Sequence, residues 1–291
     1  IDISGGKQNP SLTLGGGTLA FTEDMPPIEI APGANVNDAD STNFAGGALR
    51  VELIANGTLS DRLEVKHTGS GTGEVGVVGD LVQYEGNTVG TLNGGVGGVP
   101  LVITFNSTAT DPIVEAVTRE VTYHNVSGQP SELTRTVQFQ LTDGDGGTSG
   151  LGSKDITVTA VNDDPTITSA ATASVAENTT AVMTVTATDP DLDVPTFAIT
   201  GGADAAFFAI DSVTGALSFR DAPDFEGPAD ADGDNTYRVE VTARDGSGNS
   251  DSLLISVDVT DVNETPLAAD WYDADWGQRK AVTIDAAQVA G

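Results

Sequence analysis

The chain of 291 residues contains no cysteine, so no disulfide can stiffen it. A protein exposed to an oxidising exterior without disulfides takes its rigidity from elsewhere, oxygen-bound metal being one source. Basic residues are scarce: 12 Lys and Arg stand against 43 Asp and Glu, for a net charge of −31. Such a surface repels nucleic acid and anionic membranes, both of which are bound through basic patches. No apolar run approaches the roughly 18 residues of a membrane span. Long Leu/Glu/Lys/Ala blocks are missing, which argues against a mainly helical fold. Aromatic residues make up 5% of the chain, few for a surface that stacks on sugars. The chain opens at Ile1 rather than Met and carries no leader pattern, so it reads as a mature or excised piece of something longer.

What is abundant is Thr, Val and Gly, punctuated by Pro, a balance that favours short strands joined by tight turns. Leu49–Ile54, Leu101–Phe105, Arg135–Leu141 and Ile156–Val161 place apolar residues mainly on one face, as half-buried antiparallel strands do. Asp111–Arg119 breaks the pattern. It offers an acidic N-cap candidate, Pro112 at the first helical position and apolar residues three and four apart, and predicts a short helix near 112–119. From Asp164-Pro165 onward strands are predicted around 166–176, 181–188, 195–200, 206–211, 214–220, 236–244 and 250–261. Seven short strands in about a hundred residues suggest a Greek-key sandwich. Two junctions repeat a pattern: Val161-Asn162-Asp163-Asp164-Pro165 and Val262-Asn263-Glu264-Thr265-Pro266. A repeated junction implies tandem domains. The expected division is 1–161, a β-rich domain with the short helix; 162–266, a β-sandwich; and 267–291, the start of a further β-domain or an exchanged strand.

The acids cluster at turns and strand ends, notably Asp189-Pro190-Asp191, Asp224-Phe225-Glu226, Asp230 to Asn235, Asp245 and Asp261. Like charges packed together cost energy unless protonated or cation-bound. Calcium takes six to eight oxygens from carboxylates, amides and main-chain carbonyls. For Asp230, Asp232 and Asp234, a further ion and a solvated turn are evenly matched, since no Glu stands at the closing distance of an EF-hand loop. Asp143-Gly144 and Asp145-Gly146 also read as turn formers, with a ligand role favoured only for Asp143.

Residues 164–266 resemble a cadherin repeat of the bacterial cadherin-like kind. The likeness rests on Ala176-Glu177-Asn178, Asp189-Pro190-Asp191, Asp211 to Leu217, Asp224-Phe225-Glu226, Ala243-Arg244-Asp245-Gly246 and Asp261-Val262-Asn263-Glu264-Thr265-Pro266. The resemblance implies Ca2+ between consecutive domains. It assigns Asp189, Asp191 and Asp245 to an upper pole that shares ions with Asn162, Asp163 and Asp164. Glu177, Asp224, Glu226, Asp261, Asn263 and Glu264 form the lower pole. Ala160 stands where the family has an acidic or amide ligand, so one or two ions rather than three are expected at the first junction. Residues 8–161 are similar to a longer repeat found beside such domains in giant bacterial surface proteins, on the strength of Asn37 to Phe44, Asn56 to Leu63 and Leu141 to Gly147. By that analogy Asp38, Asp40 and Asp143 form its upper pole and Glu23 belongs to its lower one. Asp270 to Ile284, with Trp271 and Trp276, resembles the opening strand of a bacterial β-domain.

His67 and His124 have no partner motif, and no nucleophile motif occurs, so no catalytic residue is assigned and the chain is not expected to be an enzyme. The leading expectation is an all-β, tandem immunoglobulin/cadherin-like segment of an extracellular, cell-surface or secreted stalk or adhesin, with neighbouring domains or copies of the same protein as partners. A filament subunit joined by terminal strand addition is the alternative. A carbohydrate- or cell-binding module, with a surface or glycan ligand, ranks third.

Overall fold

The computed structural model describes residues 7–263. Its strands are β1 (Ser11–Thr13), β2 (Leu19–Thr22), β3 (Ile28–Glu29), β4 (Asn35–Asn37), β5 (Ala48–Ala55), β6 (Asp61–Val65), β7 (Val75–Val78), β8 (Leu81–Tyr84), β9 (Asn87–Asn93), β10 (Leu101–Phe105), β11 (Val121–Asn125), β12 (Arg135–Leu141) and β13 (Gly152–Thr159). They continue as β14 (Thr166–Ile167), β15 (Thr172–Ala176), β16 (Ala181–Thr184), β17 (Ala187–Thr188), β18 (Thr196–Gly201), β19 (Phe208–Ile210), β20 (Ala216–Phe219), β21 (Thr236–Arg244) and β22 (Ser250–Thr260). Two compact units divide the chain. The first comprises the residues through Thr168 together with Thr186–Thr196 and Ala243–Asp251; the second comprises Ser169–Val185, Phe197–Thr242 and the residues from Ser252.

Both units use one strand scheme. In the second, the sheet β15-β22-β21-β18 faces β16-β20-β19. In the first, β2-β13-β12-β5 has the same order and continues through β10-β9-β8-β7, while β3-β11-β6 forms the facing sheet. The pairs β1-β4 and β14-β17 also correspond in the scheme, although β14 and β17 lie within the first compact unit. The first unit is therefore the same sandwich with four strands and a helix inserted between β6 and β11, which accounts for its greater length. In each unit an early strand runs parallel to the last one, β2 beside β13 and β15 beside β22.

Period-2 burial drives these pairings. Along β12, Arg135, Val137, Phe139 and Leu141 are buried and the residues between them are half-buried. The first core packs Phe21 edge-on against Tyr123 at 5.4 Å between ring centroids. The second gathers Phe208, Phe219 and Tyr237, with Phe219 and Tyr237 edge to face at 5.1 Å. At the turn before β20, Gly215 has φ +70°, and a Cβ there would stand 2.1 Å from the Val185 carbonyl oxygen, so only glycine fits.

The helix α1 forms at Asp111–Arg119, with Val114, Val117 and Thr118 buried. Its N-cap is Thr110, with extended backbone, rather than Asp111, whose carboxylate accepts the Asp38 N–H at 3.0 Å. Two expected strands are divided and a third is shortened. The span 166–176 becomes β14, which pairs with β17, and β15, which pairs with β22. The span 181–188 divides likewise, since β16 pairs with β20 while β17 pairs with β14. The span 206–211 opens as a 3-10 turn, Ala205–Phe207, before β19. A strand that changes partner must bend between them. Among the described residues no helix is long and apolar enough to cross a membrane.

Candidate metal centres

The repeated strand scheme places one set of acids at matching points of its two copies, although Asp189, Asp191 and Asp245 of the second copy lie within the first compact unit. Glu23 and Glu177 each follow the early strand of a parallel pair. Their N–H groups donate to Thr159 and Thr260 carbonyls at 3.0 and 3.1 Å. Their carboxylates accept the N–H of Val161 and Val262, both at 2.8 Å. Each is followed by a left-handed residue, Asp24 and Asn178, both at φ +61°. Asp143 Oδ1 accepts from the N–H groups of Asp145, Gly146 and Gly147, and Asp245 Oδ1 accepts from Ser247, Gly248 and Asn249. Asp38 Oδ1 accepts the Asp40 N–H at 3.3 Å, as Asp189 Oδ1 accepts that of Asp191 at 2.9 Å. Asp40 Oδ2 takes the N–H of Gln8, and Asp191 Oδ2 that of Asp163.

At four of the buried acids these bonds use one oxygen and leave the other, whereas both oxygens of Asp245 and of Glu177 are bonded. Glu23 Oε1, Asp38 Oδ2, Asp143 Oδ2 and Asp189 Oδ2 are buried with no hydrogen-bond partner. Within the first unit, Asn162 Nδ2 donates to Asp245 Oδ2 at 2.7 Å, and Asn249 Nδ2 donates to the Asn162 carbonyl at 3.2 Å. Burial raises the Glu23 carboxyl above its ordinary range, the Val161 N–H opposes this, and the charges of Asp163, Asp24 and Asp191 add to the rise. Burial raises Asp163 too, with Asp24, Asp191, Asp189 and Asp164 adding to it. Asp38 is raised chiefly by burial. Burial also acts on Asp143, but the three backbone donors outweigh it and hold that carboxyl low. The Asn162 amide is the largest cause that keeps Asp245 low.

In the second unit, carboxylate oxygens of Glu177, Glu226 and Asp261 lie within 4.8 Å of one another. Backbone donors Phe225 and Val262 hold the Glu177 carboxyl low. Glu226 is bonded by its own N–H, but burial and the charges of Glu177, Asp261 and Asp224 raise it overall. Asp224 stands beside this group as a turn cap, accepting from the Glu226 and Gly227 N–H groups. Asn263 is exposed. Glu264, the 267–291 tail with Trp271 and Trp276, and the strand-like Ile1-Asp2-Ile3 lie outside the described residues.

Asp230, Asp232 and Asp234 form the other close acidic triple among the described residues. Its cation is already present in the chain: the Arg238 guanidinium lies 3.1 Å from Asp232 and 3.4 Å from Asp234. The acids named for the first unit are not drawn into a triple as tight as these two. Asp24, whose charge bears on Glu23 and Asp163, was not among the expected residues. The signal for it was its place after a strand-ending Glu, matching Asn178. His67 accepts the Val77 N–H through Nδ1, and His124 lies 3.9 Å from Glu64, so neither joins the acids.

Residues 171–260 match the family model of the cadherin domain, and this segment is a cadherin-like repeat. The chain is 44% identical over 93 residues to Halomucin of Haloquadratum walsbyi (strain DSM 16790 / HBSQ001), a match that spans 30% of this chain and 1% of that protein. Among solved structures, the protocadherin gamma B2 extracellular cadherin domains 1–5 overlap 88% of this chain and 41% of that one, with 16% identity and a TM-score of 0.41. Mouse cadherin-23 EC22–24 overlaps 88% of this chain and 68% of that one, with 16% identity and a TM-score of 0.36.

Proposed function

We propose, with the cadherin-like repeat at residues 171–260 as the premise, that this chain is a calcium-stiffened segment of an extracellular stalk or adhesin. The observation that carries the proposal is the set of buried carboxylate oxygens without a partner at Glu23, Asp38, Asp143 and Asp189. An unsatisfied buried polar group costs about 1–3 kcal/mol, and more when charged. A hard cation that gathers six to eight oxygens removes that cost, so the donor set fits calcium. Glu23, Asn162, Asp163, Asp164, Asp189, Asp191 and Asp245 would hold it at the first junction. Asp38, Asp40 and Asp143 would hold it at the start of the first unit. Glu177, Asp224, Glu226, Asp261 and Asn263, with Glu264, would hold it at the end of the second. Bound calcium supplies charge compensation, and the chain's own amides keep the oxygens in place. Ions that bind only the ordered arrangement stabilise it by about 2.7 kcal/mol per site at a hundredfold excess over Kd. The partners are neighbouring domains or further copies, a reading supported by a matched segment that makes up only 1% of Halomucin.

Two measurements test this. Millimolar calcium is expected to raise the Tm and change the solution-scattering curve relative to chelator; identical behaviour in both buffers sinks the proposal. Asp191→Ala is expected to weaken calcium uptake at the first junction far more than Asp193→Ala. Asp191 accepts the Asp163 N–H, whereas Asp193 is exposed in the following loop. Equal loss in calorimetric titrations of the two variants would show the ligand set to be misplaced.

A further inference from the structure

We infer that Gly128 and Gln129, two uncharged residues of the 126–134 loop, position the Asp189–Asp191 loop and thereby set calcium affinity at the first junction. The inference rests on the calcium reading above. Every residue involved lies within the first unit. Gln129 Nε2 donates to the main-chain carbonyl of Asp191. Gly128 lies flat against Pro190: a Cβ on it would stand 2.6 Å from Pro190 Cβ and 3.2 Å from an Asp163 carboxylate oxygen. The loop between Asp189 and Asp191 is therefore gripped at its central residue and at its last carbonyl. Asp189 is at least nine-tenths buried, and its unpartnered Oδ2 belongs to the gripped segment.

The gripping loop is itself fixed. Its start is tied by the Val126 N–H to the Ser60 carbonyl at 3.0 Å and by the Ser127 N–H to Asn125 Oδ1 at 2.8 Å. The Gln129 N–H donates to Ser127 Oγ at 3.1 Å. Its end is tied by Asn56 Nδ2 to the Thr134 carbonyl at 2.7 Å and by the buried Arg135, whose Nη1 donates to the Ser131 and Leu133 carbonyls. Partners that orient metal ligands without touching the metal typically change affinity 10- to 100-fold when removed. Gln129 and Gly128 meet that description.

The experiment is a calorimetric calcium titration of the full chain in a Glu177→Gln/Glu226→Gln background, which removes the acids of the second unit's group. Gln129→Ala is expected to weaken the remaining calcium class by about 10-fold while its Tm in chelator stays at the parent value, and Gly128→Val, whose Cβ would meet Pro190, is expected to weaken that class as well. In the unmodified background, the class lost with Glu177 and Glu226 should keep its affinity. Unchanged affinity in Gln129→Ala overturns the inference, as does a loss matched by a lower Tm in chelator. A parent chain that takes up no calcium in either background overturns the calcium reading itself.

Discussion

Replacing Arg135 with methionine is expected to destabilise the first unit by about 3–5 kcal/mol, a fall of roughly 10 °C in Tm. Arg135 and Asp61 are both fully buried, with Nε 3.5 Å from Oδ2. Asp61 also accepts from the Tyr123 hydroxyl, Asn125 Nδ2 and the Thr58 N–H, each at 2.6 Å. Taking the guanidinium away leaves a buried anion without its counter-charge and strips donors from the Ser131 and Leu133 carbonyls. Adding Asp61→Leu should recover part of the loss, because no uncompensated charge then remains. Recovery stays partial, since Tyr123 and Asn125 lose their acceptor. Burial pushes the Asp61 carboxyl up, but the bonds from Tyr123, Thr58 and Asn125 and the charge of Arg135 hold it below its usual range. A carboxyl lowered by folding contributes stability above its unfolded pKa and loses it as pH falls through the folded one. The Arg135→Met penalty should therefore shrink in acid. Calorimetry in chelator measures it, and a Tm shift under about 1 °C at neutral pH would mean the pair stabilises nothing.

A second substitution is expected to change sign with the buffer. Glu23→Gln should raise Tm in chelator and lower it, relative to the parent, in calcium. Burial and three neighbouring acids raise the Glu23 carboxyl. An acid raised by folding favours its protonated form, so its contribution is present below the unfolded pKa and lost as pH rises through the folded one. At neutral pH in chelator the parent holds a destabilising charge that glutamine lacks. In calcium the same charge is, on the proposed reading, a ligand, and its loss then forfeits up to about 2.7 kcal/mol at a hundredfold excess over Kd. Thermal melts of both proteins in both buffers decide the matter. A shift of one sign throughout would show that Glu23 takes no part in binding the ion.

Legibility in the sequence followed the range of the interaction. The β12 strand and helix α1 carry their pattern within a few residues, and both form where expected. The divided strands were invisible because the break lies in a change of partner, not in the local alternation. The insertion of β7 to β10 was hidden for the same reason: its limits are defined by β6 pairing with β11, Val65 beside Val121. At the sites, acids draw attention because their charge needs an explanation. Gly128, Gln129 and Arg238 do not, although one grips a ligand loop, one bonds it and one neutralises an acidic turn. Alternation puts Arg135 on the buried face of its strand with Val137, Phe139 and Leu141, and only the Asp61 side chain, seventy-odd residues earlier, makes that burial tolerable.

The parallel pairing of an early strand with the last one bears on how each unit responds to force. In the first unit, Leu19 to Thr22 lie beside Ile156 to Thr159 in register; in the second, Thr172 to Ala176 lie beside Ser256 to Thr260. Neighbouring parallel strands point the same way, so tension that enters at the start of one and leaves at the end of the other runs along the ladder. Its hydrogen bonds are then loaded together in shear, whereas a hairpin pulled from its two free ends opens one rung at a time. Glu23 and Glu177 clasp the exit of each ladder through Val161 and Val262, where a pulled chain would begin to peel.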